Sequence, residues 1–167
     1  MNIKLSKKDF HDANKIAKGR IMTAKSWNLR NQQQDKTRSN ADIEKIGVYG
    51  EYVVALAYDL NTPDCCGFDD GIDLWFGDKT IQVKTTYYEH GHLLFKAKEK
   101  FVADFAVLVA ETSCQRTFKI IGATSRKKFY ELCFKKDFGN GDIYALHQED
   151  LAKPEIFWRY LIEKKYA

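Results

Sequence analysis

Two carboxylates, one amide and one ammonium group stand at positions from which they could act together: Glu51, Asp73, Gln82 and Lys84. The last three fall in a single stretch, Gly71 to Thr85. Apolar residues alternate there in Ile72, Leu74 and Phe76 and again in Ile81 and Val83, the period-two pattern of half-buried strands. Gly77-Asp78 between the two runs suits a two-residue hairpin turn with glycine first. Such a turn sets the register, with Leu74 opposite Ile81, Ile72 opposite Val83, Asp73 opposite Gln82, and Lys84 two residues further along the same face. Opposed Cβ atoms lie about 4.5 to 5.5 Å apart, close enough for a carboxylate and an amide oxygen to hold one hard cation. A slip of one residue would bury Asp73, Gln82 and Lys84 and put the hydrophobes in water, which argues for this register.

Glu51 comes from a helix expected over about Asp42 to Leu60, with Asn40 or Asp42 near its cap and Asn61-Thr62-Pro63 as its stop. Gly47, Gly50, Val54, Ala55 and Tyr58 share its face, so the carboxylate sits in the middle of an apolar, close-packing stripe. Each glycine costs roughly 1 kcal/mol of helix propensity, which is consistent with another backbone lying close. A buried carboxylate needs a partner, a proton or a metal. The plainer alternative is a rim position paired with Lys45 or a distant arginine.

Taken together, Gly47-x-x-Gly50-Glu51, Gly71-x-Asp73 and Gln82-Val83-Lys84-Thr85 resemble the PD-(D/E)xK nuclease superfamily. Looser similarity to small phage and mobile-element or homing endonucleases continues through Ala103-Asp104-Phe105 and Ile121-Gly122-Ala123-Thr124-Ser125-Arg126. The resemblance implies an α/β (α+β) fold, a restriction-endonuclease-like mixed central sheet flanked by helices. It implies a Mg²⁺-dependent endonuclease acting on double-stranded DNA, with Mn²⁺ able to substitute. Asp73 is then the central metal ligand, Gln82 and the Val83 carbonyl complete the protein shell, and Glu51 contributes directly or through water. Lys84 positions the attacking water and stabilises developing charge, as in-line hydrolysis of a phosphodiester requires. Cutting both strands implies a homodimer or higher oligomer. This chain departs from the pattern at Gln82, where the superfamily carries an acid. One negative charge is missing there, and a catalytically inactive nucleic-acid-binding protein of the same fold is the alternative. A partner-binding protein with no nucleic-acid role is the third.

Charge distribution supports the DNA reading independently of the motif. Residues 1 to 40 hold ten basic side chains (Lys4, Lys7, Lys8, Lys15, Lys18, Arg20, Lys25, Arg30, Lys36 and Arg38) against Asp9, Asp12 and Asp35, whereas the whole chain nets only +4. The positive excess therefore lies entirely in that quarter, as in a polyanion-binding arm on a near-neutral body. A solvated basic helix with no partner is the bland counterpart. We expect a DNA-gripping extension over 1–40, with a helix from Ser6 to Ser26 and a polar connector, followed by a nuclease-like core over 41–167. Lys15, Lys18, Arg20, Lys25, Arg30, Lys36 and Arg38 are its candidate phosphate contacts, joined by Arg126 and Lys127 at the start of a later helix.

At 167 residues and 44% hydrophobic content, the chain suffices for one domain with a real core. No apolar run is long enough to span a bilayer, and Met1 to Phe10 is not followed by the apolar segment of a signal peptide. A soluble, cytoplasmic protein without a membrane role is expected, with reduced thiols at Cys65, Cys66, Cys114 and Cys133. His90 and His92 with Cys65 and Cys66 lack a zinc-site spacing, and polar loop histidines are the better account. Asp69 and Asp70 read as loop acids. Trp75 should share the face of Asp73, either packing beneath the Glu51 helix or lining a groove.

The remaining elements follow from periodicity. Leu93 to Phe95 should pair briefly, Asp104 to Ala110 reads as a central strand buried on both faces, and Phe118 to Ala123 as another. Thr124 or Ser125 caps a helix to Phe134 with Phe129, Leu132 and Cys133 inward. Lys135 to Asp142 reads as a loop, Ile143 to Leu146 as a strand, and Pro154 to Lys164 as a helix with Ile156, Phe157, Tyr160 and Leu161 on one side.

Overall fold

The computed structural model describes residues 1–26, 38–63, 71–139 and 141–165. Among these the chain is α+β. A five-stranded sheet runs in the order β1 (Asn2–Lys4), β6 (Thr117–Ser125), β5 (Phe105–Glu111), β3 (Lys79–Thr86), β2 (Leu74–Phe76). Only β3 and β5 pair in parallel, so the sheet is mixed. A smaller antiparallel sheet has the order β4 (Leu93–Phe95), β8 (Asp142–Leu146), β7 (Phe134–Asp137). The helices are α1 (Lys7–Ser26), α2 (Asn40–Ala57), α3 (Arg126–Leu132) and α4 (Pro154–Lys165).

The alternation of side chains along β3 and β5 divides the interior in two. Ile81, Val83, Phe105, Val107 and Val109 share one core with α1, α2 and α4. Ala106 and Leu108 point the other way, into a second core with Leu93, Phe95, Phe101, Phe129 and Leu146. Thr80 ties the entries of β3 and β5 together: its N–H and hydroxyl donate to Asp104 Oδ2 at 3.0 and 2.9 Å, and its hydroxyl accepts from the Asp104 N–H at 2.8 Å.

Ser6 begins α1 as expected, its Oγ accepting from the Asp9 N–H while Asp9 Oδ2 accepts from the Ser6 N–H, both at 3.1 Å. Ser125 caps α3 through the Lys128 N–H. Several expectations change. Strand β1 was not anticipated, and Leu5, Ala13 and Ala17 lie fully buried in the core of the main sheet. These three residues thus share a core with α2 and the main sheet. Ser39, not Asn40 or Asp42, caps α2, and that helix ends at Ala57 rather than near Leu60. Helix α3 ends at Leu132 rather than Phe134, and residues 134–137 pair with β8 as a strand where the helix end and a loop were expected. Leu132, Ile156 and Tyr160 face solvent at 45%, 59% and 41% exposure, while Phe129, Phe157 and Leu161 keep the inward places.

Gly50 is where α2 meets β3. A Cβ built there would stand 1.9 Å from Thr85 Oγ1 and 3.0 Å from Thr85 Cβ. We expect Gly50→Ala to destabilise the protein by about 1–3 kcal/mol despite its better helix propensity, with Thr85→Ala in the same chain recovering part of the loss in urea unfolding.

Candidate active site

Because Gly50 lets α2 lie against β3, the next residue, Glu51, is carried into the interior at 6% exposure. Its charge is met by Arg20. The guanidinium donates from Nη1 to Oε1 at 2.9 Å and from Nη2 to Oε2 at 2.8 Å, a two-pronged pair with side chains 17% and 8% exposed. Burial alone would push Arg20 down. The hydrogen bonding and charge of Glu51, followed by the charges of Glu44 and Asp73, hold it above its usual value. Of the two accounts of Glu51, the carboxylate is therefore buried and has a distant arginine as partner.

The hairpin keeps the expected register from Leu74↔Ile81 to Phe76↔Lys79, with Gly77 at φ +60° in the turn. The ladder stops at Leu74, so Asp73 does not continue it opposite Gln82. Its N–H donates to the Ile81 carbonyl at 3.0 Å, and its carboxylate Oδ2 accepts the Val83 N–H at 2.5 Å. The side chain thereby replaces the main-chain acceptor that a longer β2 would have supplied.

Gln82 and Lys84 lie on the face of β3 toward the second core, in register with Ala106 and Leu108. Gln82 is 4% exposed, and its Oε1 is enclosed with no hydrogen-bond partner. Gly71, at φ +93°, makes room for it: a Cβ there would meet Val102 Cγ2 at 2.7 Å and Gln82 Nε2 at 3.3 Å. Lys84 is partly exposed, its Nζ 5.3 Å from the centroid of the Phe95 ring. The four residues thus approach β3 from different directions. Glu51 comes from the helix layer and Gln82 with Lys84 from the other face, while Asp73 is bonded to the main chain of β3 itself. Trp75 is 58% exposed rather than packed beneath α2.

A hard cation fits this donor set in one respect. An enclosed carbonyl without a donor costs about 1–3 kcal/mol, and Gln82 Oε1 is such an atom. The Val83 carbonyl belongs to the next residue, Asp73 is bonded to the Val83 N–H from across the hairpin, and oxygen-only donors suit Mg²⁺. Glu51 fits less well, since Arg20 engages both of its oxygens. Among the described residues no group of three His, Cys, Asp or Glu side chains is arranged to hold a metal.

Of the candidate phosphate contacts, Lys15, Lys18 and Lys25 are exposed on α1, and Arg126 and Lys127 on α3. Arg126 Nη1 donates to the Val102 carbonyl at 2.6 Å. Arg38 stacks over the Tyr87 ring at 3.6 Å. Arg30 and Lys36 lie outside the described residues, as do Cys65, Cys66, Asp69 and Asp70. The ion pair of Arg20 was missed by counting charge alone. Its signal was its place three residues after Ala17 and seven after Ala13, on the inward stripe of α1.

His92 packs edge-on against His147, ring centroids 4.9 Å apart, with Phe134 stacked on His147. Burial pushes the His92 imidazole down from 6.5, His147 and Lys136 act the same way, and Glu149 opposes them. The fold favours the neutral ring, so the unfolded chain binds more protons once the pH drops below about 6.5. The stability this ring contributes is complete above that pH and is lost as pH falls through its folded value. His92→Gln should flatten that part of the dependence in thermal melts recorded from neutral to mildly acid pH. Arg20→Ala, which strands a buried carboxylate, should cost about 3–5 kcal/mol in denaturant unfolding, and Arg20→Ala with Glu51→Ala clearly less. No known protein family, curated protein or solved structure matches this chain, so the functional reading rests on the geometry just described.

Proposed function

We propose that the protein is a Mg²⁺-dependent DNA endonuclease of the PD-(D/E)xK kind, with Mn²⁺ able to substitute. The observation that carries this reading is the end of the β2–β3 hairpin. There Asp73 is pinned to the Val83 N–H, and the neighbouring Gln82 keeps an enclosed carbonyl without a partner. Asp73, Gln82 Oε1 and the Val83 carbonyl would hold the ion, which supplies Lewis acidity toward the phosphoryl oxygens when bound. Lys84, on the Gln82 face of β3, orients the attacking water and offers positive charge to the oxygens that become more negative. Glu51 acts through water while Arg20 holds it. Lys15, Lys18 and Lys25 on the outer side of α1, with Arg126 and Lys127, bind backbone phosphates and set the position of the duplex. A homodimer supplies the second site for the second strand, in a cytoplasmic setting.

Two features favour the second reading, a catalytically silent DNA-binding protein: the neutral Gln82 in place of an acid, and the closed Arg20–Glu51 pair. Supercoiled plasmid incubated with Mg²⁺ separates the readings. Wild type should nick it. Asp73→Asn, which retains an acceptor for the Val83 N–H, and Lys84→Ala should each be slower by at least about 100-fold. Equal nicking by all three rejects the assigned site. Salt-sensitive retention on DNA without cleavage in Mg²⁺ or Mn²⁺ selects the silent binder. Absence of retention at low salt removes both readings.

A further inference from the structure

Helix α4 packs on the core through Phe157 and Leu161, yet two of its large apolar side chains stay in water. Ile156 is 59% exposed and Tyr160 41%. They stand four residues apart, so they adjoin on one flank of the helix. The Phe157 N–H donates to the Lys153 carbonyl at 3.0 Å, which brings Lys153 onto the same helical path. Lys153, Ile156, Tyr160 and Glu163 then follow one another at steps of three, four and three, all exposed and within about 80° of arc. Beside them opens a groove of about 280 Å³, floored by the buried Phe105, Ala123 and Phe157 and edged by Ile156 and Tyr160.

This stripe has the symmetry of a surface that meets itself. Its ends carry opposite charge and its middle is apolar. When a second α4 is laid antiparallel about a two-fold axis, Ile156 faces Tyr160 of the second copy and Lys153 faces Glu163 of the second copy, and each contact occurs twice. A parallel pairing would set like charges against one another. Within one chain the two charges stand about 15 Å apart along the helix, and among the described residues neither enters an ion pair. We propose that the chain forms an antiparallel, two-fold dimer through this flank of α4, with apolar side chains of the second copy filling the groove. The 12-residue helix is about 18 Å long, so the contact is at the small end of specific interfaces and dissociates in the micromolar range. The surface stands without the nuclease reading, which asks only for two sites.

The test is sedimentation velocity of the full chain from low to high micromolar concentration. Wild type should pass from monomer to dimer. Ile156→Asp, which places its charge where the native side chain is already in water, should stay monomeric throughout. Lys153→Glu and Glu163→Lys should each dimerise about tenfold more weakly, because both end contacts turn from attraction to repulsion. Mixed together, these two variants should associate about as tightly as wild type, and so should the chain carrying both changes, since opposite charges again face one another. A wild type that is monomeric at every concentration overturns the proposal and leaves the groove to a small apolar ligand. Dimerisation that ignores Ile156→Asp, or a mixture no tighter than either variant alone, places the contact elsewhere and overturns it equally. The plasmid assay judges the endonuclease separately. Nicking by a wild type that never dimerises removes only the dimer, and a dimer that cuts no plasmid removes only the endonuclease.

Discussion

A carboxylate taken out of water has to be met by positive charge, and much of the arrangement around α2 follows from that requirement. Glu51 is inside because Gly50 brings its helix against Thr85. The charge that answers it comes from another element, so α1 must cross α2 at the height of Arg20. Small residues one and two turns earlier, Ala17 and Ala13, let the helices approach, and both are fully buried. Tyr49 completes the crossing, its ring 4.8 Å from that of Phe10 and its hydroxyl 2.6 Å from Asn14 Oδ1. The apolar contacts hold α1 down, and the ion pair sets its register along α2.

Strand β3 lies between two unlike layers. Helices cover one face with large aliphatic and aromatic side chains, and the small sheet with α3 covers the other. Polar groups on such a strand are tolerated only where something satisfies them or where the covering layer gives out. Thr80 is satisfied by Asp104, and Lys84 keeps part of its surface in water. Gln82 has neither remedy for its carbonyl. That contrast separates a polar residue with a structural explanation from one without.

Much of this could be read from residues alone, where a local rule and the global fold agree. The hairpin combined period-two alternation with a glycine-first turn, and its register followed. Ser6 and Ser125 were recognisable as caps, and Asp104 to Ala110 as a strand covered on both sides. Strand β1 was not legible because Asn2-Ile3-Lys4 has one apolar residue and no period of its own; the open edge of β6 makes it a strand. Residues 135–137 are all charged and precede a Gly-Asn-Gly turn signal, yet pairing with β8 overrides that local preference. The end of the β2 ladder was hidden for a different reason. Register arithmetic assumes that main-chain bonds continue, and it cannot register a side chain that takes over from a carbonyl. Arg20 was visible on the inward stripe of α1 but was grouped with its exposed neighbours by charge.

The bond from the Val83 N–H to Asp73 gives this aspartate a structural duty of its own. An aspartate that closes the edge of a strand serves folding, whether or not any chemistry depends on it. A chain of this fold with no chemistry to perform would still need it, along with the glycines at 50 and 71 that packing demands. The side chain at position 82 is under no such constraint, since no protein donor in the described structure pairs with its Oε1. The stretch therefore contains positions that the architecture requires whatever the chain does, and their presence is by itself a poor measure of chemistry.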